Sequence, residues 1–399
     1  MSGPLDGIKV LELGSTVAAP FCGRLFADFG AEVIKVEPPT GDTVRTMGRR
    51  YEGRSLYAAS IFRNKRLLAL DLGKESGRDL VRRLAARSDI VIENFRPGRM
   101  EQWGLGYDSL SADNPGLILV RISGYGQDGP YHERAGYGAT CEAVSGLREL
   151  TGDPDRPPAR VNVSLTDEVA AIYAAFGAMM ALHERGRSGR GQVIDAALYE
   201  AAFSLIEPHV PAYAKLGEVP TRAGPHLPGS APNSLYPSSD GGWIQITAVS
   251  QGTFQRLVEQ MDQPDLLEDE RFKTPVSRAE NSEAIDRAIA DWTSTLPLRD
   301  LETRLIEAGV PAARIYKLPD IMADPHFLAR DMLVELADPE LGSVTVPGVV
   351  PKLSRTKGEV VAPGRPVGAD TVAILDQVLG LSESEIASLI SDGTVKDAG

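Results

Sequence analysis

Residues 7–36 read GIKVLELGSTVAAPFCGRLFADFGAEVIKV, and the spacing of their apolar residues changes period twice. Gly7 to Leu13 is an aliphatic run of strand length. Ala18 to Phe29 places Ala18, Phe21, Leu25 and Phe29 on one stripe of a helix, and Ala31 to Val36 is a second strand. Strand, helix and strand in so short a span make a βαβ unit. The runs Leu67–Leu72, Ile90–Glu93 and Leu117–Ser123 continue the pattern, separated by helix-like Glu75–Arg87 and Pro97–Trp103. This alternation predicts an α/β fold with a parallel sheet, in which ligands bind beyond the carboxyl ends of the strands. The loops after those strands are where chemistry is expected.

From Ser164 the pattern becomes a long apolar helix, LTDEVAAIYAAFGAMMALHERG, ended by Gly186, Gly189 and Gly191. A strand over Gln192–Ala197 and a helix over Leu198–Ile206 follow. Residues 208–242 are rich in Pro, Gly and Ser and predict a linker with an active-site loop. Trp243 to Tyr316 reads as a smaller α+β domain, with strands at 243–249 and 312–316 and helices near 250–261, 277–293 and 298–308. The expected division is therefore 1–207 as the first part of a large domain, 208–242 as linker and loop, 243–325 as the small domain, and 326–399 as a return to the large one. That return ends in an amphipathic helix near 369–391.

The chain has 399 residues, 42% of them apolar and 24% charged, the composition of a folded globular protein of about two or three domains. A net charge of −13 argues against a general nucleic-acid or anionic-membrane partner, because phosphate contacts need clustered Lys and Arg. Cys22 and Cys141 cannot build a disulfide framework and have no metal-ligand spacing. The opening MSGPLDGIKVLEL lacks a signal-peptide pattern and no run of 18 apolar residues occurs, so a cytoplasmic protein outside the membrane is expected. His132, His183, His209, His226 and His326 are scattered, and there is no nucleophile elbow, dinucleotide fingerprint or Walker A sequence. No metal and no tightly bound cofactor is expected. The first turn, Gly14 to Pro20, reads as a plain strand-to-helix connection whose small residues let a ligand approach the helix N-terminus.

One carboxylate stands apart. Asp167 lies three residues after Ser164 at the start of the apolar helix, where the helix dipole favours negative charge. Either Ser164 and Asp167 are only an N-cap and a first-turn acid, or Asp167 is a nucleophile that forms covalent acyl intermediates. The pattern alone does not choose.

Eight segments together decide between these readings. PLDGIKVLEL, CGRLFADFGAEVIKVEPPTGD, NKRLLALDL, DIVIENFRPG, NPGLILVRISGYGQDGP, the TG and PP of 151–158, SLTD and GRGQVIDAAL resemble, in order, segments of the class III CoA-transferases, which include formyl-CoA:oxalate and carnitine CoA-transferases. The similarity runs from residue 4 to about 200 and more weakly to about 360. It implies a Rossmann-like large domain built from both chain ends, a smaller domain between them, and a homodimer of interlocked ring-shaped subunits. The family's catalytic aspartate falls on Asp167, preceded here by Thr166 where relatives more often carry Gly. The implied chemistry passes CoA through aspartyl anhydrides and an aspartyl-CoA thioester, with acyl-CoA and a free carboxylic acid as substrates and without ATP or metal.

The resemblance also implies contacts to CoA from Val17, Ala18, Asn64, Lys65, Arg66, Asn94, Phe95 and Arg96. Val17 stands where the formyl-CoA enzyme has Gln, which argues against formyl or oxalate specificity. Tyr137 coincides with a family active-site tyrosine, a core tyrosine being the alternative. Oxyanion donors are expected from the 224–234 loop around Gly229. The racemases of the same fold normally carry a His where Tyr137 stands, so α-methylacyl-CoA racemisation is the secondary reading. The stretches YGQDGPY, LRELTGDPDRPPAR and LPGSAPNSLYP look like members that use succinyl-CoA and a C4–C5 dicarboxylate. Such an acceptor needs a cation for its distal carboxylate, and Arg45 or Arg160 is the expected partner.

Overall fold

The structure is a computed structural model that describes residues 3–398. The chain divides into two compact units. The larger comprises residues up to Leu147, Val161–Pro211 and the chain from Pro325; the smaller comprises Arg148–Arg160 and Ala212–Asp324.

In the larger unit the strands β1 (Lys9–Glu12), β2 (Glu32–Glu37), β3 (Arg66–Leu70), β4 (Ile90–Glu93), β5 (Ile118–Ser123), β6 (Val193–Ala197) and β7 (Val395–Lys396) form one sheet in the order β7-β3-β2-β1-β4-β5-β6. All neighbours are parallel except β7, which runs antiparallel to β3 and closes that edge. Neighbouring residues along a strand alternate between the two faces, as the pleat requires. Leu11, Ile34, Val36, Val91 and Leu119 pack into one core. Val10, Val33, Ile90, Ile92, Ile118, Val120 and Ile122 pack into the other. With both faces covered, these strands read as nearly continuous apolar runs.

Three helices matter for the site: α1 (Ala18–Asp28), α2 (Gly138–Val144) and α3 (Leu165–Ser188). Ala170, Ala171, Ala174, Ala178 and Ala181 of α3 are fully buried against the second core. Small side chains let this helix approach α1 and the sheet closely, while Ile172, Phe176 and Met180 on its other side are exposed. Among the described residues α3 is the one helix long and apolar enough to cross a membrane by composition, and its alanine face is packed on the sheet.

In the smaller unit Asn233–Pro237, Trp243–Thr247 and Ala312–Arg314 form an antiparallel sheet. Tyr236, Ile244 and Ile246 pack there with Phe254, Leu257, Ile285, Ile289, Leu301 and Leu305 from three helices. Each such large apolar side chain contributes about 1.5–3 kcal/mol by leaving water.

The unit boundaries differ from those expected at 207 and 243. Residues 148–160 belong to the smaller unit because Arg222 Nη1 donates to Glu149 Oε1 at 2.5 Å and Gly224 N donates to Gly152 O at 3.1 Å. The stretch read as a linker contains the helix His209–Leu216 and the strand Asn233–Pro237. The helix expected near 369–391 is two, Thr371–Gln377 and Glu383–Ser391. Gly380 at φ +68° parts them, and the Ser382 side chain accepts from Glu385 N to start the second.

Candidate active site

Strand order reverses between β1 and β4, so their carboxyl ends diverge and leave a crevice at a topological switch point. A cleft of about 210 Å³ lies there. Ser15, Thr16 and Ala18 line it after β1, Asn94, Phe95 and Arg96 after β4, Ser123 and Gly124 after β5, with His132, Arg134, Tyr137 and Asp167 opposite.

The loop after β1 is held by three side chains. Asn94 Oδ1 accepts from Ser15 N and Asn94 Nδ2 donates to Ser15 O, both at 2.8 Å. Lys35 Nζ donates to Gly14 O. Asp42 Oδ1 accepts from Thr16 N at 2.9 Å, holding Thr16 at φ +70°, a strained conformation for a non-glycine residue. A Cβ on Gly14 would stand 2.6 Å from Asn94 Oδ1, so the Asn94 clamp requires glycine at that position.

Beneath the loop lies a buried ion network. Lys35 Nζ is 2.9 Å from Asp42 Oδ2 and 3.6 Å from Glu12 Oε1, and Lys65 Nζ donates to Glu12 Oε2 at 2.6 Å. Burial pushes the Asp42 carboxyl up, yet the Lys35 ammonium and the amides of Val44 and Thr16 outweigh it and hold it below the ordinary range. Burial pulls Lys35 down, but Asp42 and Glu12 hold it above the ordinary lysine. Neither Lys35 nor Asp42 was singled out in the sequence. The signal for Lys35 was its place with Glu37 in the apolar run VIKVE, where a buried charge needs a partner; Asp42 lies outside that run.

The loop after β4 rests on Glu93, which accepts from Phe95 N at 2.7 Å and from Arg121 Nε at 2.7 Å. Burial raises Glu93 to about 7, against the opposing pull of Arg121. Phe95 packs edge-on to Trp103, with ring centroids 5.1 Å apart.

Asp167 sits in the first turn of α3, and Ser164 makes no side-chain cap there. Its carboxylate reaches the start of α2, where a Cβ on Gly138 would lie 2.1 Å from Asp167 Oδ2. Gly138 is thus the residue that lets the carboxylate in, although the sequence reading passed over it. Tyr137 is 71% exposed at the cleft, so it is not a core tyrosine.

Several expected contacts fall elsewhere. The Val17 side chain is buried among Val44, Ala58 and Phe62, and only Ala18 faces the cleft. Lys65 is spent on Glu12 and on Pro20 O at 2.7 Å. Asn64 donates to Glu359 O and accepts from Val361 N, both at 2.8 Å, tying down the returning chain. Arg66 bonds Glu32 at 2.8 Å and Gln377 at 3.0 Å. Arg45 grips Glu37 through both Nε and Nη2, at 2.6 and 2.7 Å, and so is not a free cation for a substrate. The corrections at 64–66 share one cause: these residues lead into β3 instead of leaving it, and their side chains meet protein partners first. Arg160 and Gly229 belong to the smaller unit.

Comparison with known proteins bears directly on this cleft. The chain matches CoA-transferase family III over residues 5–371. It is 47% identical over 388 residues to the succinyl-CoA–D-citramalate CoA-transferase of Chloroflexus aurantiacus, covering 97% of this chain and 96% of the relative. It is 33% identical over 397 residues to the succinyl-CoA:glutarate CoA-transferase of Homo sapiens, covering 98% and 90%. The crystal structure of a CAIB/BAIF family protein from Brucella suis superimposes with a TM-score of 0.84 at 36% identity, covering 95% of this chain and 100% of that one. The family match over residues 5–371 and the 47% identity over 97% of the chain, in a chain whose switch-point cleft is lined by Asp167, lead to one conclusion: the protein belongs to CoA-transferase family III.

Proposed function

We propose that this enzyme moves CoA from succinyl-CoA to a C4–C5 dicarboxylate such as citramalate or glutarate, with Asp167 as nucleophile. The observation that carries this reading is the 47% identity, over 97% of the chain, to a protein named for succinyl-CoA and D-citramalate. The cleft supplies the chemistry. An Asp167 oxygen attacks the thioester carbonyl carbon, the C–S bond breaks, and CoA thiolate leaves an aspartyl succinyl anhydride. The thiolate then attacks the aspartyl carbonyl, forming aspartyl-CoA thioester and releasing succinate. The acceptor carboxylate attacks that thioester, giving a second anhydride and thiolate. The thiolate finally takes the acceptor acyl group and restores Asp167. Each step exchanges one activated acyl group for another, so the cycle balances without ATP or metal.

Asn94, Phe95, Arg96 and Ala18 would receive CoA in this scheme. The adjoining pocket lined by Arg96, Pro97, Arg99 and Gln102 presents guanidinium groups suited to its phosphates. The amides at the start of α2 lie beside the carboxylate and are candidate donors to developing oxyanions. Strand order 3-2-1-4-5-6 in the larger unit supports a Rossmann-like label. A homodimer of interlocked subunits, with CoA as a substrate and not a resident cofactor, completes the reading. Peptide mass spectrometry of enzyme quenched during turnover tests it: an acyl or CoA adduct on Asp167 is expected. Steady-state assays of succinyl-CoA against a panel of acids read the acceptor class, and activity confined to monocarboxylates overturns the dicarboxylate assignment.

A further inference from the structure

We propose that Arg134 is the specificity-determining cation that receives the distal carboxylate of the acyl group. This rests on the CoA-transfer reading above. A dicarboxylate activated at one end on Asp167 projects its other carboxylate into the same cleft, where a partner must replace the lost hydration. Three side chains able to carry positive charge line the cleft: Arg96, His132 and Arg134. His132 Nδ1 is engaged with Gly129 O at 2.7 Å. Arg96 also borders the outer pocket with Arg99 and Gln102, the direction suited to the CoA phosphates.

Arg134 differs from both. Its guanidinium carbon sits 3.4 Å from the centroid of the Tyr131 ring. Tyr131 meets Tyr125 edge-on at 6.1 Å, and Tyr125 leans on Tyr199 at 6.0 Å. The row of tyrosines gives the guanidinium an aromatic partner, a contact that does not use its N–H donors. Among the described residues the Arg134 guanidinium has no carboxylate partner, in contrast to Arg45 on Glu37 and Arg121 on Glu93 and Glu101. A guanidinium set against an aromatic ring and without a carboxylate partner can take a carboxylate bidentately.

In the exchange through Asp167, the donor acyl group and the acceptor occupy one subsite in turn. Arg134 therefore reads the distal charge of both succinyl-CoA and the acceptor. The test compares glutarate with its monomethyl ester as acceptors, and succinyl-CoA with butyryl-CoA as donors, for the unmodified enzyme, Arg134→Gln, Arg134→Lys and Arg96→Gln. Arg134→Gln is expected to lower kcat/KM by about 10- to 100-fold for glutarate and for succinyl-CoA, and to leave the analogues that lack the distal charge within about threefold. Arg134→Lys restores part of the preference, since charge remains without the fork. Arg96→Gln lowers all CoA thioesters alike. The rate with the analogues that lack the distal charge doubles as the check that each variant is folded. An Arg134→Gln enzyme that keeps the glutarate-to-ester ratio overturns the proposal, whereas an unmodified enzyme without transfer or preference overturns the reading on which it rests.

Discussion

Asn64-Lys65-Arg66 and Asn94-Phe95-Arg96 carry similar residue types beside neighbouring runs of the same sheet, and both were expected to touch CoA. The structure separates them. The first triplet leads into β3 and turns its side chains to the Glu359 backbone, Glu12 and Glu32. The second follows β4 and lines the cleft with Asp167. In a parallel sheet the carboxyl end of a strand faces the ligand crevice, so position relative to the strand outweighs residue type. A basic residue at the wrong end becomes part of the scaffold.

Breaking this contrast begins at Asp167, the proposed nucleophile. Asp167→Ala should lower kcat by about a thousandfold or more with an unchanged circular dichroism spectrum. Appreciable turnover by that variant would remove the chemical distinction of the cleft. Gly138→Ala places a methyl where the Asp167 carboxylate now lies and should cost about a hundredfold in kcat, because small misplacement of a reacting group has effects of that order. Its unfolding midpoint should change far less than its rate.

Two paired substitutions sharpen the contrast itself. Lys65→Met leaves Glu12 short of its nearest cation and should destabilise the fold by about 3–5 kcal/mol, read by denaturant unfolding, without changing the KM of the folded enzyme for CoA thioesters. Arg96→Gln should do the reverse, raising that KM about tenfold at constant stability. If the two results exchange places, the triplets have been assigned to the wrong roles.

The smallest effect concerns Glu93 under the second triplet. Its folded carboxyl is raised from the ordinary 4.5 to about 7, so between those values the unfolded chain binds fewer protons than the folded one. Stability contributed by this group is present below about 4.5 and is lost as pH rises through about 7. Removing the titration with Glu93→Gln should flatten the dependence of unfolding free energy on pH in that window; an identical slope in both proteins counts against a raised Glu93.

Much of the fold was legible. Apolar period placed β1, β2, β4, β5 and the core of α3 within a few residues, because alternation and helical stripes follow from neighbours in sequence. The smaller unit was legible in its elements but not in its limits, since Glu149 and Gly152 join it through partners some 70 residues away. Asp167 was singled out by its place at the head of an apolar helix and by the family resemblance, Asn94 by the resemblance alone, and the fold brings both to one cleft. Arg134, Gly138, Lys35 and Asp42 escaped because an exposed arginine, a glycine at a helix start and a charge in an apolar strand each have common structural roles. Nothing local in the sequence says which role is filled.

The order of strands and helices, the crevice-forming loops and the acid at the head of α3 were thus determined by the chain's own one-dimensional pattern. Which cations face that crevice was decided only in three dimensions. Lys65 chooses Glu12, Arg45 chooses Glu37 and Asn64 chooses the backbone near Glu359 because a buried charge or amide must satisfy itself with whatever the fold brings within hydrogen-bond reach. Proximity of that kind depends on how the sheet is wound, and residues far apart in sequence carry no local sign of it.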